Sequence, residues 1–307
     1  MLPTGEQFLL SHDGALGRVT ATVTELAASL RSLRVGGVAL VHEYPDHLTP
    51  PYGAGIVLVP WPNRVRGGRW TLNGTEQRLD ITEPSTGNAT HGLLRNTGYR
   101  VTDRSEAAVT LAATVFPQHG YQFLLETSVR YELTDDGLEV THGIVNAGTD
   151  TAPVAIGTHP YFRVGDTPSD ELTVTVAGST WYPLDDAMIP TGRESVEGTD
   201  VDLRAGKALK EASLNTAYTD LELIDGAHRH RLTAPSGEAT ELWGDDDFAY
   251  VQVFTQPAFT GHTGEEFAVA MEPMTAPANA LATGESLRWL EPGEHWIARW
   301  GVRYLPA

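Results

Sequence analysis

Four polar side chains stand where rigid neighbours would hold them, and each is of a type that moves protons or binds oxygen-rich ligands. His159 lies in "GTHPYF", between a threonine and a proline, with Tyr161 and Phe162 directly behind it. Proline restricts the backbone of the residue before it, and two aromatic rings can anchor the segment in a core. Glu272 lies in "EEFAVAMEP", where alternation sets it on the opposite face from Met271, at the end of a strand that Pro273 then terminates. A carboxylate so placed is held rigidly and still reaches a cavity. Arg64 in "PWPNRV" and His91 in "THGLLRNTGY" complete the set. Singly, each has an ordinary reading: a surface ion pair for Arg64, a satisfied loop histidine for His91, a solvated strand end for Glu272.

Other chemistries lack their patterns. There is no GxxxxGK[ST] phosphate loop, GxGxxG fingerprint, HExxH pair or GxSxG elbow. His228 and His230 in "HRH" share one side of a strand, but no third ligand stands near them, so no metal is expected and the plain reading is a solvated strand. "GDDDF" at 244–248 lacks calcium-loop spacing and reads as an acidic turn. The absence of cysteine removes disulfides, thiol catalysis and thiolate metal sites. Asn73 and Asn88 match the glycosylation pattern, and with no export signal in view the matches are expected to be chance.

The elements that must position these residues are strands. Short runs such as "AVTLAATV" from 108 and "ELTVTV" from 171 alternate with the period of half-buried strands. In "FLLETSVRYELTDDGLEVTHGIVNAG" two such runs flank Asp135, Asp136 and Gly137, which suit a tight hairpin turn with positive φ. "LELID", "HRLTA", "TELWG", "YVQVFT", "FAVAME" and "HWIARWGVRYL" continue the pattern. Helical signals are few: "ELAASLRSLR" from 25 reads as helix or strand, and one short helix is expected around "GKALKEASL". Glycines (31) and prolines (19) are spread throughout, which offers no linker at which to divide the chain, so residues 1–307 read as one all-β domain. An apolar fraction of 41% and a charged fraction of 20% fit a folded soluble protein, expected in the cytoplasm. Acidic residues outnumber basic ones, 40 to 21; the net charge of −19 argues against nucleic acid and anionic membranes as partners. The oligomeric state is not written in the sequence.

Taken in chain order, "PWPNRVRGGRWTLNG", "HGLLRNTGY", "GTHPYFRVG" and "MEPMTAPANAL" resemble the motifs of the aldose 1-epimerases, the galactose mutarotases, in a bacterial form, over nearly the whole chain. The resemblance implies a large antiparallel β-sandwich of the galactose mutarotase-like supersandwich kind, whose concave sheet holds a sugar. It implies Glu272 as base and His159 as acid, with Arg64, His91 and the residue at 215 binding substrate. The segment "LNTAYTDL" at 214–221 resembles one that usually offers an aspartate to sugar hydroxyls, and this chain has Asn215 there, with Asp220 nearby as a substitute charge. Trp61 reads equally as a sugar-stacking ring or a core residue.

The implied reaction interconverts the α and β anomers of an aldohexose such as glucose or galactose. A base withdraws the proton of the anomeric hydroxyl while an acid protonates the ring oxygen, and acting together they avoid a charged intermediate. The opened aldehyde end rotates, and the same groups with exchanged roles close the ring on the other face. No cofactor is required. Reference pKa values of roughly 4.3 and 6.5 make the carboxylate the natural acceptor. Acidic neighbours would keep the imidazole protonated while burial would push the other way. The alternatives are a hexose 6-phosphate mutarotase using Arg64, Arg66, Arg69 and Arg95, a non-catalytic carbohydrate-binding β-sandwich, and a glycoside hydrolase or lyase domain.

Overall fold

The computed structural model describes residues 1–262 and 264–307, and among them the alternating runs are strands. Leu125–Leu133 alternates buried and less buried positions along its whole length, and His295–Leu305 sends Trp296, Ala298, Trp300, Val302 and Tyr304 inward. Antiparallel pairing in register joins Ala108–Val115, Leu125–Leu133, Gly137–Asn146 and His295–Leu305, and the ladder continues through Ala239–Gly244, Ala227–Thr233 and Thr173–Val176. This sheet has ten strands among the described residues, and a second has eight, centred on Asn215–Leu221, Tyr250–Gly261 and Gly264–Met274. One contiguous apolar cluster includes Val129 and Trp300 of the first sheet and Val253 and Met271 of the second, so the two pack as layers of a sandwich. A four-stranded sheet, Gln7–Gly14 to Val38–Ala39, joins the same core through Phe8, Leu10 and Val19. No helix among the described residues is long and apolar enough to cross a membrane.

Several local expectations need revision. The hairpin at Asp135–Asp136 exists, with Leu133 paired to Leu138, but none of Asp135, Asp136 and Gly137 has positive φ. Gly137 is required for a different reason: a Cβ there would lie 1.9 Å from the Val302 carbonyl oxygen of the adjoining strand. By contrast, Asn73 and Gly74 both have positive φ, 49° and 78°, and close the hairpin between Arg69–Leu72 and Thr75–Arg78 as an Asn-Gly pair should. "ELAASLRSLR" is a turn followed by a strand: Ala27 and Ala28 have positive φ, 56° and 47°, and from there Leu30–Val35 pairs with Gly17–Thr24 and buries Leu30, Leu33 and Val35. "GKALKEASL" holds a two-residue strand and one 3-10 turn, Leu209–Glu211, while the short α-helix is Ala280–Thr283. Helix propensity was outweighed in both places by the chance to bury side chains in sheet layers. His228 and His230 do share a face, but it is the inner one: they are 5% and 3% exposed, and burial pushes His230 down to about 3. "GDDDF" is an ordered acidic turn in which Asp245 accepts the backbone N–H groups of Asp247 and Arg299. Asn88 is buried and its amide donates to the Ala187 carbonyl, which excludes a glycan there.

Candidate active site

The strand Gly157–Thr158 pairs with Val57–Leu58 on one side and touches Met274 on the other. His159 follows it, donating its backbone N–H to Ile56 (3.1 Å) and accepting from Gly55 (2.8 Å). Tyr161 and Phe162 then pair with Ala270 and Val269 and are 1% and 0% exposed. The imidazole is therefore fixed by backbone bonds at its own position and by two sunken rings behind. It packs between Tyr161 and His91, with ring centroids 5.3 and 5.4 Å away.

Glu272 reaches the same place from Gly264–Met274. Met271 points into the sandwich core and Glu272 to the opposite face, as alternation requires. The strand does not stop at Pro273 but runs on to Met274. Pro273 falls between the pairings with Tyr161–Phe162 and with Gly157, where a missing N–H costs the ladder little. Glu272 Oε1 and His159 Nε2 lie 3.2 Å apart, with side chains only 3% and 7% exposed.

Arg64 and His91 are held together by a two-residue ladder, Arg64–Val65 against Ala89–Thr90. His91 donates its backbone N–H to the Asn63 carbonyl at 2.9 Å. His91 and Gly92 both adopt left-handed backbone, φ 62° and 70°, which turns the imidazole into the site; a Cβ on Gly92 would lie 2.1 Å from the Val59 oxygen, so no other residue fits. The glutamate motif reaches back to this ladder, since Asn279 donates its N–H to the Arg64 carbonyl and accepts the Arg66 N–H. Arg64 is indeed ion-paired, but in the wall of the site: its Nε and Nη2 donate to the two oxygens of Glu83 at 2.6 and 2.8 Å, and Thr86 donates to the same carboxylate.

Glu272, His159, Arg64, His91 and Asn215 all line one cavity of about 400 Å³. Asn215 accepts a hydrogen bond from Gln252 at 2.8 Å, and Gln252 stands directly across the ladder from Glu272. Sequence reasoning passed over Gln252, Glu83, Tyr52 and Phe254, which also line the cavity. Gln252 carries no motif and becomes visible only through the register. Trp61 is a core residue, 2% exposed, packed near Tyr121 and outside this cavity. Asp220 does not substitute for a charge at 215, because it faces solvent in an ion pair with Arg193 away from the site.

Burial governs the protons. It pushes Glu272 up to about 8, with Arg64 pulling the other way, and it pushes His159 down to about 4, aided by Arg64 and Arg95. Burial therefore outweighs the acidic surroundings that were expected to keep the imidazole charged. His91 is held well below 6.5 by burial, then by His159, Arg95 and Arg64. A neutral Glu272 beside a neutral His159 carries the same number of protons as a carboxylate beside an imidazolium. The pair thus holds one transferable proton from about 4 to about 8, and its titration belongs to both groups together. Glu272 Oε2, His159 Nδ1 and His91 Nδ1 are buried without a hydrogen-bond partner among the described residues, which is costly unless a ligand supplies one. No group of three or more histidine and carboxylate side chains suited to a metal occurs among the described residues.

Comparison with known proteins follows the same outline. The aldose 1-epimerase family model matches residues 9–303. The chain is 31% identical over 284 residues to "Uncharacterized protein YihR" of Escherichia coli K12, covering 91% of this chain and 88% of that one. It is 30% identical to human galactose mutarotase over 288 residues, covering 86% and 80%. Among solved structures, a galactose mutarotase-like protein from Clostridium acetobutylicum superposes with a TM-score of 0.84 at 16% identity, covering 98% of this chain and 95% of the other. The GalM/aldose epimerase homologue from C. elegans gives 0.83 at 18% identity, covering 98% and 99%.

Proposed function

We propose that the chain, which belongs to the aldose 1-epimerase family, interconverts the anomers of a free aldohexose such as glucose or galactose between Glu272 and His159. The chain is an isomerase of the mutarotase type, and the family's reaction needs no cofactor. The observation that carries the residue assignment is the 3.2 Å approach of Glu272 Oε1 to His159 Nε2 on the wall of one cavity. Two groups that close, sharing one proton, can take a proton from the anomeric hydroxyl and return one to the ring oxygen. Glu272 acts as the base and His159 as the acid; internal transfer across the contact supplies the charged pair, which then faces the anomeric hydroxyl and the ring oxygen of the sugar.

The remaining wall binds rather than reacts. Arg64, oriented by Glu83, offers to sugar oxygens its Nη1 donors, which have no partner among the described residues. His91 presents a partnerless Nδ1, and Asn215 with Gln252 presents amides able to donate and accept. Asn215 removes the negative charge that an aspartate would bring, which favours neutral hydroxyl recognition. Residues 1–307 serve as one domain in this reading, because the wall draws on segments from Pro50 to Glu272.

The test is polarimetry on freshly dissolved α-glucose and α-galactose. Acceleration by the wild-type protein and its loss in His159→Asn support the assignment; full turnover in that variant removes His159 from it. A second substrate reading rests on Arg95, which lines the cavity, makes only a 3.5 Å bond to the Thr90 carbonyl and has no carboxylate partner among the described residues. That guanidinium suits a hexose 6-phosphate. Arg66 and Arg69 do not join it, being paired with Asp185 and Glu76 outside the cavity. Stronger competition by glucose 6-phosphate than by glucose would select the phosphorylated substrate.

A further inference from the structure

Away from the sugar cavity, His42 stands between a hydroxyl and a carboxylate. Its Nε2 lies 2.9 Å from Ser169 Oγ and its Nδ1 lies 3.0 Å from Glu266 Oε1. The three residues come from distant parts of the chain: His42 follows Val38–Ala39, Ser169 opens the turn Ser169–Glu171, and Glu266 lies on Gly264–Met274. His42 and Ser169 are 3% and 5% exposed. All three line a separate surface cavity of about 240 Å³, together with Arg163, Asp166 and Phe267. The histidine is set firmly, its backbone N–H donating to the Tyr161 carbonyl at 2.8 Å and its ring packing against Phe259.

The order of the three groups fixes their roles. Glu266 can only accept, so Nδ1 carries the ring proton and Nε2 is left to accept from the Ser169 hydroxyl. That is the arrangement in which an imidazole takes a serine proton as the oxygen attacks, while the carboxylate orients the ring and steadies the imidazolium that forms. Burial holds His42 below 6.5 even with Glu266 opposing, and the bond from His42 holds Glu266 below 4.5, so the base is free and the carboxylate ionised near neutrality.

We propose that Ser169, activated by His42 and Glu266, is the nucleophile of a second site that takes small acyl esters. Ser169 Oγ forms a bond to the ester carbonyl carbon and passes its proton to His42 Nε2. The tetrahedral adduct collapses, the ester C–O bond breaks, and the departing alkoxide takes that proton to leave as the alcohol. Water then attacks the acyl-serine, giving a proton to His42 that returns to Ser169 Oγ as the carboxylic acid departs. No co-reactant beyond water is needed. Arg163 spends its Nε–H on the Gly165 carbonyl and lines the cavity, and its charge acts on His42, so it is the cation near which charge on the carbonyl oxygen would develop. The cavity is smaller than the usual range for drug-sized ligands, which favours acetyl and similarly short acyl groups.

The experiment exposes the whole protein to a small alkyl fluorophosphonate, from which an activated serine displaces fluoride, and follows the adduct by intact mass and peptide mapping. A single adduct on Ser169 is expected. It should be absent from Ser169→Ala, form at least tenfold more slowly in Glu266→Gln, and persist in Glu272→Gln, which separates this site from the sugar cavity. Hydrolysis of p-nitrophenyl acetate should follow the same order. Failure of the wild-type protein to react, an adduct on another residue, or wild-type labelling of Glu266→Gln would overturn the proposal. Should Ser169→Ala melt early, mapping on the wild type and the rate in Glu266→Gln still decide.

Discussion

Replacing Glu272 by glutamine should disable the enzyme and stabilise the fold, and the second effect rises with pH. The side chain is 3% exposed, and burial lifts its pKa from an ordinary 4.5 to about 8. In the unfolded chain the carboxyl ionises near 4.5, so between 4.5 and 8 the folded state binds more protons than the unfolded one and stability falls as pH rises. The penalty is absent below the unfolded value, grows through that window, and is complete at about 8. At 1.36 kcal/mol for each pH unit, its ceiling is about 5 kcal/mol. Glutamine keeps the shape and has no charge to bury. Glu272→Gln should therefore match the wild type near pH 4.5 and exceed it progressively toward pH 8, by an amount on the order of 3–5 kcal/mol in denaturant titrations. Turnover should meanwhile fall roughly 10²- to 10⁴-fold, the range for loss of a positioned general base, with sugar binding retained. Parallel stability curves across the window would refute the burial argument, and undiminished turnover would refute the catalytic one.

Catalytic efficiency should trace a bell between about pH 4 and about pH 8, because the Glu272–His159 pair has no base left when doubly protonated and no acid left when fully deprotonated; anomer exchange followed by NMR, with folding checked at each pH, would show it. Glu83→Gln removes the forked partner that aims Arg64 and should raise KM about tenfold with little change in kcat, as measured by steady-state polarimetry. Gly137→Ala drives a methyl into the Val302 carbonyl and should cost roughly 2–3 kcal/mol, read as a lowered Tm with activity per folded molecule unchanged.

The sandwich was legible because its strands alternate: Leu125–Leu133 and His295–Leu305 carry their burial in the sequence itself. Where strands are only two residues long, as at Gly157–Thr158 and Arg64–Val65, no period exists to read, and motifs alone marked the place. Motifs found His159 and Glu272 but not Gln252, whose position depends on pairing with Glu272 across the ladder. They also misjudged "HRH", because one buried and one solvated strand face look alike when both residues are histidine. Gly137 was correctly placed at a turn for the wrong reason, since close approach of a third strand leaves no trace in local sequence.

On the proposed assignment, the cost of burying Glu272 and its capacity to act as a base have one origin. A solvated carboxylate near its ordinary pKa would be a weak acceptor for a hemiacetal proton, whereas desolvation raises its basicity toward the working pH. The same desolvation lowers the basicity of His159 and makes its cation a readier donor to a ring oxygen. Two opposite shifts from a single cause leave the total proton count of the pair unchanged through the neutral range, so the proposed base and acid stay poised together. Such a site must be assembled from rigid parts, because a buried carboxyl with one oxygen lacking a partner among the described residues would otherwise relax toward water. That is why the segments around it are tied on every side: Gly55 and Ile56 to His159, Asn279 to the Arg64 ladder, and Gln252 to Asn215.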